Sequence, residues 1–411
     1  MSKNFIDLFA GAGGLSLGLE RAGFSPLFVN ELNDDALKTY FNNRKQYFPE
    51  GPIKNINYLQ DINEANRKYL GSLKKILFSG AMEKDDLDLI VGGPPCQGFS
   101  RMGHRRNYSV TKKELPSNFL FKKMIDFIEC FQPKVFLFEN VTGIKTAKWN
   151  GSQDKKTIFD DIKESFQLAA NKNYHINHWE IKAYNYGVPQ NRPRIFIIGI
   201  RKDLGTENTF KHPPRHRASP PDLEKLLADL EDKDYLKRDG LETKHYQFDP
   251  DRTTRNFRKI KTILSDHTYS NHSKDITERF SAMLNEKLGK TNSSNQKAAL
   301  GLHKEKTKKF SQKVLPAKWE GQNPGFTVTS MPDDVIHYSL PRTLSVREWA
   351  RLQGFPDDYI FYGKRTTGGI RRSGNPQKGI FDRELPKYTQ IGNAVAVPVA
   401  EAIGKYILTK L

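Results

Sequence analysis

Two cysteines, Cys96 and Cys130, are all that the 411 residues contain. Nor is there an uninterrupted apolar run of about 18 residues. The scarcity of cysteine excludes a thiolate-built zinc framework or a disulfide scaffold and points to a reducing compartment. The lack of long apolar runs excludes a membrane-spanning helix. The opening MSKNFIDLFAGAGG also lacks the apolar core of a signal peptide, because Asp7 and the glycines interrupt it. Acidic residues are in deficit: 47 Asp plus Glu face 66 Lys plus Arg, a formal charge of +19. With 37% hydrophobic residues the chain has enough for a sizeable core, and its length suggests two or three domains. The sum of these is an intracellular protein attracted to a polyanion, most simply nucleic acid. The positive excess is local. Residues 101–113 hold five basic groups and no acid, 251–320 hold 16 against seven, and 361–380 hold five and none.

The first 200 residues alternate apolar runs with helical patterns, the rhythm of a doubly wound, mostly parallel α/β sheet. Strands are predicted at 5–9, 26–31, 88–93, 134–140, 178–187 and 194–200, and helices at 14–23, 33–42, 118–130 and 157–170. The nearly continuous apolar character of KVFLFEN and RIFIIGI fits strands buried on both faces. After about residue 204 the composition turns to Pro, His, Lys, Arg, Asn and Ser. Order returns at FTVTS (326–330), at RTLSVREWARLQGFP (342–356) and at QIGNAVAVPVAEAIGKYIL (390–408). In the second of these, Ser345 and Glu348 form a capping box that opens a short helix. The expected organisation is one α/β domain from 1–204 and 386–411. A smaller basic domain at 205–341 and a hinge with its helix at 342–385 would interrupt it.

Several segments carry chemistry. FIDLFAGAGGLSLGLERAGF is strand, glycine-rich turn and helix, and Gly11, Gly13 and Gly14 would let backbone approach a ligand closely. It has neither the dinucleotide spacing nor a P-loop lysine, so tight-turn chemistry alone would also explain it. Glu31, about 20 residues on at the end of the second strand, is placed to accept ribose hydroxyl protons and favours a ribose-bearing cofactor. Asp61, before Ile62, is either an adenine contact or an ordinary loop carboxylate. GGPPCQGFS (92–100) holds Cys96 in a rigid turn at a strand end, followed by Arg101, Arg105, Arg106, Lys112 and Lys113. Buried structural packing is the ordinary role of cysteine. Cationic surroundings favour the nucleophilic thiolate at Cys96, whereas Cys130 in FKKMIDFIECF reads as core. VFLFENV brings Glu139 to a strand tip, where an apolar setting would keep its proton at neutral pH. Gln190, Arg192 and Arg194 alternate along an incoming strand and share a face, suggesting convergence on a polar ligand.

In this order the segments identify a family. DLFAGAGGLSLGL, GGPPCQGFS, FLFENV, QNRPRIFIIG, RTLSVREWARLQGFP and QIGNAVAVPVA together resemble the cytosine-5 DNA methyltransferases of bacterial restriction–modification systems. The match covers nearly the whole chain except 205–325, where that family carries its target-recognition domain. The resemblance implies a Rossmann-like methyltransferase fold and S-adenosylmethionine as methyl donor, with no metal. It places the donor over Phe9, Ala10, Gly11 and Gly13, Glu31 on the ribose, and Asp61 and Ile62 at the adenine. Pro95, Leu120, Asn393 and Val395 would complete the pocket. The residue after the glutamate, often aromatic in the family, is Leu32 here.

It also implies Cys96 as nucleophile toward C6 of a flipped cytosine, Glu139 as the acid at the ring, and Arg192 and Arg194 as neighbours of base and nucleophile. Double-stranded DNA would be the partner, the protein a monomer in the bacterial cytoplasm, and its role protection of host DNA from a cognate restriction endonuclease. Two rival readings remain. One is a cytosine-5 methyltransferase acting on tRNA, which the long basic insertion disfavours. The other is an inactive DNA-binding module, which the intact Cys, Glu and Arg positions disfavour.

Overall fold

A computed structural model describes residues 3–49, 58–78, 87–95, 116–149, 155–205, 211–215, 219–231, 265–270, 272–285, 312–319, 326–366 and 384–411, with the backbone alone at 246–247 and 261–262. Its centre is a seven-stranded sheet. In chain order the strands and helices of this half are β1 (Lys3–Leu8), α1 (Gly14–Ala22), β2 (Phe24–Asn30), α2 (Asp34–Asn42), β3 (Tyr58–Leu59), α3 (Arg67–Leu77) and β4 (Leu89–Gly92). They continue with α4 (Phe121–Phe131), β5 (Val135–Val141), α5 (Ile158–Leu168), β6 (Tyr174–Lys182) and β7 (Pro193–Arg201). The sheet order is β3-β2-β1-β4-β5-β7-β6. All pairings are parallel except those of β7, which runs antiparallel to both β5 and β6.

Both faces of the sheet are covered, which is why its strands read as continuous apolar runs. Successive residues alternate between two cores. Ile6, Ile90, Phe136 and Phe138 join the core under α3, α4 and α5, with Leu70, Phe127, Ile162 and Phe166. Phe5, Leu89, Val135 and Leu137 join the opposite core with Leu15 and Leu19 of α1. That second core is completed by the last helix, α10 (Val397–Leu408), through Val399, Ala400, Ile403 and Ile407. The two helices meet closely: a Cβ on Gly18 would stand 2.3 Å from the Ala400 Cβ. The stretch Lys387–Leu408 reaches a mean hydropathy of 1.2 and is, by length and composition, long enough to cross a membrane. The sequence predicts a helix within 390–408 that returns to the first domain, but no segment of membrane-spanning length. The stretch consists of α9 (Lys387–Asn393) and α10 separated by extended backbone at Ala394, and α10 is core.

Predicted and observed elements differ where the backbone turns. The helix expected to run to 170 stops at Leu168, because Ala170, Asn171 and Lys172 all take positive φ. The strand expected through 187 ends at Lys182, and a 3-10 turn closed by Gly187 (φ 78°) follows. Helix α3 was not predicted, although Asn66 caps it through Oδ1 to the Tyr69 amide at 2.9 Å.

Beyond the sheet, α6 (Leu223–Leu227), α7 (Lys274–Asn285) and α8 (Val346–Leu352) occupy the late part of the chain. The Ser345–Glu348 capping box forms as expected. Leu223, Leu226, Leu227 and Leu230 share one apolar cluster with Leu315, Val335, Leu344, Trp349 and Leu352. Helix α8 is wholly buried, its charges included. Arg351 spends all five N–H donors: two on Asp357, two on Asp229, and a further bond from Nη1 to the Leu226 carbonyl, at 2.7–2.9 Å. Its carboxylates hold its proton more tightly than in water. Arg351→Met is therefore expected to strand two buried carboxylates and cost about 3–5 kcal/mol. Urea unfolding would read this, and a loss below about 1 kcal/mol, the level of an exposed pair, would contradict the assignment.

Candidate active site

The sheet order changes direction between β1 and β4, so the carboxyl ends of these strands form the crevice in which such sheets take ligands. The chain leaves β1 into a strained turn. Phe9 has φ 60°, Gly11 57° and Gly13 80°. At Gly13 the need for glycine is double, since a Cβ would also stand 2.6 Å from the Arg44 guanidinium. Gly11 differs: among the described residues a Cβ there would meet nothing within 4 Å, so this face of the turn opens outward from them.

Glu31, 7% exposed, closes the turn from β2. Its Oε2 accepts the Gly11 amide and its Oε1 the Asn33 amide, both at 2.8 Å. Burial raises its carboxyl above the ordinary range, and the two amides oppose that rise. Asn30, which the sequence reading did not single out, ties three strand ends together. Its Oδ1 accepts the Phe9 amide at 3.3 Å, and its Nδ2 donates to the carbonyls of Leu59 and Gln60 at 2.8 and 3.0 Å. This draws Asp61 and Ile62 to the same edge. Asp61 accepts from the amide of Asn63 at 2.9 Å, capping a turn, and Ile62 is buried. Leu32 is 64% exposed beside Glu31, a free apolar surface at the crevice.

The C-terminal segment returns to this edge. A Cβ on Gly14 would stand 2.5 Å from the Val395 carbonyl and 3.0 Å from the Ala394 Cβ. Val395 is buried and Asn393 exposed. Pro95 is exposed past the end of β4, and Leu120 is half-buried at the start of α4. The two elements touch, since a Cβ on Gly92 would stand 3.1 Å from the Met124 sulfur.

On the other side of β4 lies a carboxylate. Glu139 is 9% exposed at the tip of β5, and Arg194 on β7 pairs with it, Nε to Oε1, at 2.9 Å. A Cβ on Gly93 would stand 2.9 Å from Glu139 Oε2, so the second oxygen faces the backbone that leads through Pro94 and Pro95 to Cys96. Asn140 secures that backbone by donating from Nδ2 to the Pro94 carbonyl at 3.3 Å. Burial pushes the Glu139 carboxyl up, with Arg194 and Arg192 opposing. Cys96 itself and the basic loop 101–113 lie outside the described residues.

Gln190, Arg192 and Arg194 do not share one kind of partner. Arg194 bonds Glu139, whereas Arg192 donates from Nη1 to the Val328 carbonyl and from Nη2 to the Gly392 carbonyl, both at 2.6 Å. Gln190 donates to the Leu352 carbonyl and to Gln353 Oε1 at 2.8 Å, and accepts the Val328 amide at 2.9 Å. Gln353 in turn donates to the Ile391 carbonyl at 2.8 Å. The partners of Gln190 and Arg192 lie 136–200 residues away, so no spacing in the sequence announces them.

Comparisons with known proteins agree with this geometry. The family described as C-5 cytosine-specific DNA methylase matches residues 3–409. The chain is 32% identical to the type II methyltransferase M.DdeI of Desulfomicrobium norvegicum, over 98% of this chain and 88% of that protein. It is 28% identical to the type II methyltransferase M.HpaII of Haemophilus parainfluenzae, over 99% of this chain and 89% of that one. Among solved structures, an E. coli protein described as a DNA modification methyltransferase encoded within a prophage superimposes with a TM-score of 0.67 at 26% identity, covering 99% of both chains. The motif order, the switch-point crevice and these matches together establish that the chain belongs to the C-5 cytosine-specific DNA methylase family.

Proposed function

We propose that the protein transfers a methyl group from S-adenosylmethionine to C5 of a cytosine within a specific double-stranded DNA sequence. The observation that carries this reading is the Glu139 carboxylate, paired with Arg194 and facing the Gly93 backbone three residues ahead of Cys96. The crevice suits the donor: a left-handed glycine turn opening outward at Gly11, a doubly anchored carboxylate at Glu31 and an exposed Leu32. Phe9, Ala10, Gly11 and Gly13 would lie beneath it, with Glu31 at the ribose and Asp61 and Ile62 at the adenine. Pro95, Leu120, Asn393 and Val395 would close the pocket. The donor, when bound, supplies an electrophilic methyl group on a sulfonium.

The residues of the chain prepare the acceptor. Cytosine C5 is a poor nucleophile until C6 carries a covalent substituent, and the Cys96 thiolate provides it by attack at C6. The ring then behaves as an enamine with charge at N3. Glu139, whose carboxyl burial raises above its ordinary range against the pull of Arg194, acts as the acid at N3 and stabilises that charge, while Arg194 fixes the direction of the carboxyl. After methylation, loss of the C5 proton expels the thiolate and restores the ring. A stacked base is unreachable, so the cytosine must leave the helix at a cost of a few kcal/mol.

In this reading 1–204 and 386–411 form the catalytic domain, 205–341 reads the DNA sequence and 342–385 joins them. The protein acts as a monomer in the bacterial cytoplasm and shields host DNA from a cognate endonuclease.

The test is methyl transfer from a labelled donor to duplex DNA and to tRNA, followed by bisulfite sequencing of the DNA. Label in DNA within one sequence context is expected. Label in tRNA alone would replace this reading with the tRNA one, and methylation without a common context would contradict sequence-specific modification.

A further inference from the structure

We infer that Arg192 is a positioning residue that holds the C-terminal turn of the cofactor pocket in place. Arg192 is 2% exposed, and its guanidinium spans two chain segments remote from its own strand. Nη1 reaches the Val328 carbonyl and Nη2 the Gly392 carbonyl, each at 2.6 Å. Gly392 immediately precedes Asn393, and Val395 three residues on packs against Gly14 at the head of the glycine turn. The turn is clamped from its other side as well. A Cβ on Gly392 would stand 2.1 Å from the Thr329 carbonyl, and that carbonyl accepts the Trp349 indole N–H at 3.0 Å.

The planar fork reaches the two carbonyls from two separate nitrogens in fixed directions, whereas lysine would have to serve both from one ammonium on a flexible stem. On the same strand Arg194 holds Glu139, so β7 sets the pocket turn and the acid in one frame. The bonds of Arg192 go to backbone, which separates its task from that of Arg194.

The inference rests on Asn393 and Val395 belonging to the cofactor pocket, as proposed above. Its test uses full-length Arg192→Lys and Arg192→Ala proteins. Affinity for S-adenosylmethionine is measured by calorimetry, and the single-turnover rate is measured on duplex DNA at saturating donor. The donor dissociation constant is expected to rise at least tenfold in both variants, and by more than the saturated rate falls. Added guanidinium should restore affinity to Arg192→Ala and leave wild type unaffected. A collapse of the saturated rate with unchanged donor affinity would overturn the inference and place Arg192 against the reacting base. A lowered melting temperature with unchanged affinity and rate would overturn it too, leaving only a structural bond. Should Arg192→Ala fail to fold, Arg192→Lys carries the same comparison. Failure of the wild-type protein to bind the donor at all would instead sink the functional reading beneath it.

Discussion

Replacing Cys96 with alanine is expected to abolish methyl transfer, lowering the rate on the order of 10⁴-fold or more, while DNA binding persists. The loss is large because every later step depends on the substituent at C6. Without it the ring carbon to be methylated stays unreactive. Cys130 provides the internal control. It sits half-buried on α4, packed against the core beneath the sheet, and burial raises its thiol above the ordinary value. Cys130→Ala should therefore keep its activity. A labelled-methyl transfer assay on both variants, with a gel-shift measurement of DNA binding, reads the contrast. Retained turnover in Cys96→Ala would refute the nucleophile assignment.

Glu139→Gln should slow the chemical step by about 10²–10⁴-fold, the usual weight of one positioned general acid. The amide is nearly isosteric, so the change removes the proton and the charge rather than the shape. Donor affinity should hold, because no described contact links Glu139 to the glycine turn or to Glu31. The pH dependence has a definite sign. Burial raises the Glu139 carboxyl, so its acid form survives to higher pH than that of an exposed glutamate. The wild-type rate should fall as pH rises through that value, and Glu139→Gln should lack this limb. A collapse of donor affinity in Glu139→Gln would move the residue out of the acid role.

Much of the fold was legible because the parallel sheet imposes a local signature. Strands such as KVFLFEN are apolar on both faces only when helices cover both, and this core does so with Phe136 on one side and Leu137 on the other. The glycine turn was legible for a similar reason, since positive φ at Gly11 and Gly13 demands that residue. What escaped was long-range. The sequence placed Gln190, Arg192 and Arg194 on one face, yet two of the three are consumed by carbonyls or amides from residues 328, 352 and 392. The role of Asn30 escaped for the same reason: its partners Leu59 and Gln60 lie in and just after a strand of two residues, too short to leave a pattern. The buried charges of α8 were likewise hidden. Arg347 and Arg351 look like the solvated face of a helix until Ser265 and the Tyr359 carbonyl receive the first, and Asp229, 122 residues away, joins Asp357 on the second.

The central claim is a covalent bond between Cys96 and the target cytosine. It is tested most directly with a duplex carrying the sequence found by bisulfite mapping, its target base replaced by 5-fluorocytosine. Fluorine cannot leave as the C5 proton does, so the enzyme should be trapped after methylation. Mass spectrometry of the denatured complex should then show protein plus DNA plus one methyl group, with the modified peptide mapping to Cys96. A complex that dissociates on denaturation, or an adduct at Cys130, would contradict the account.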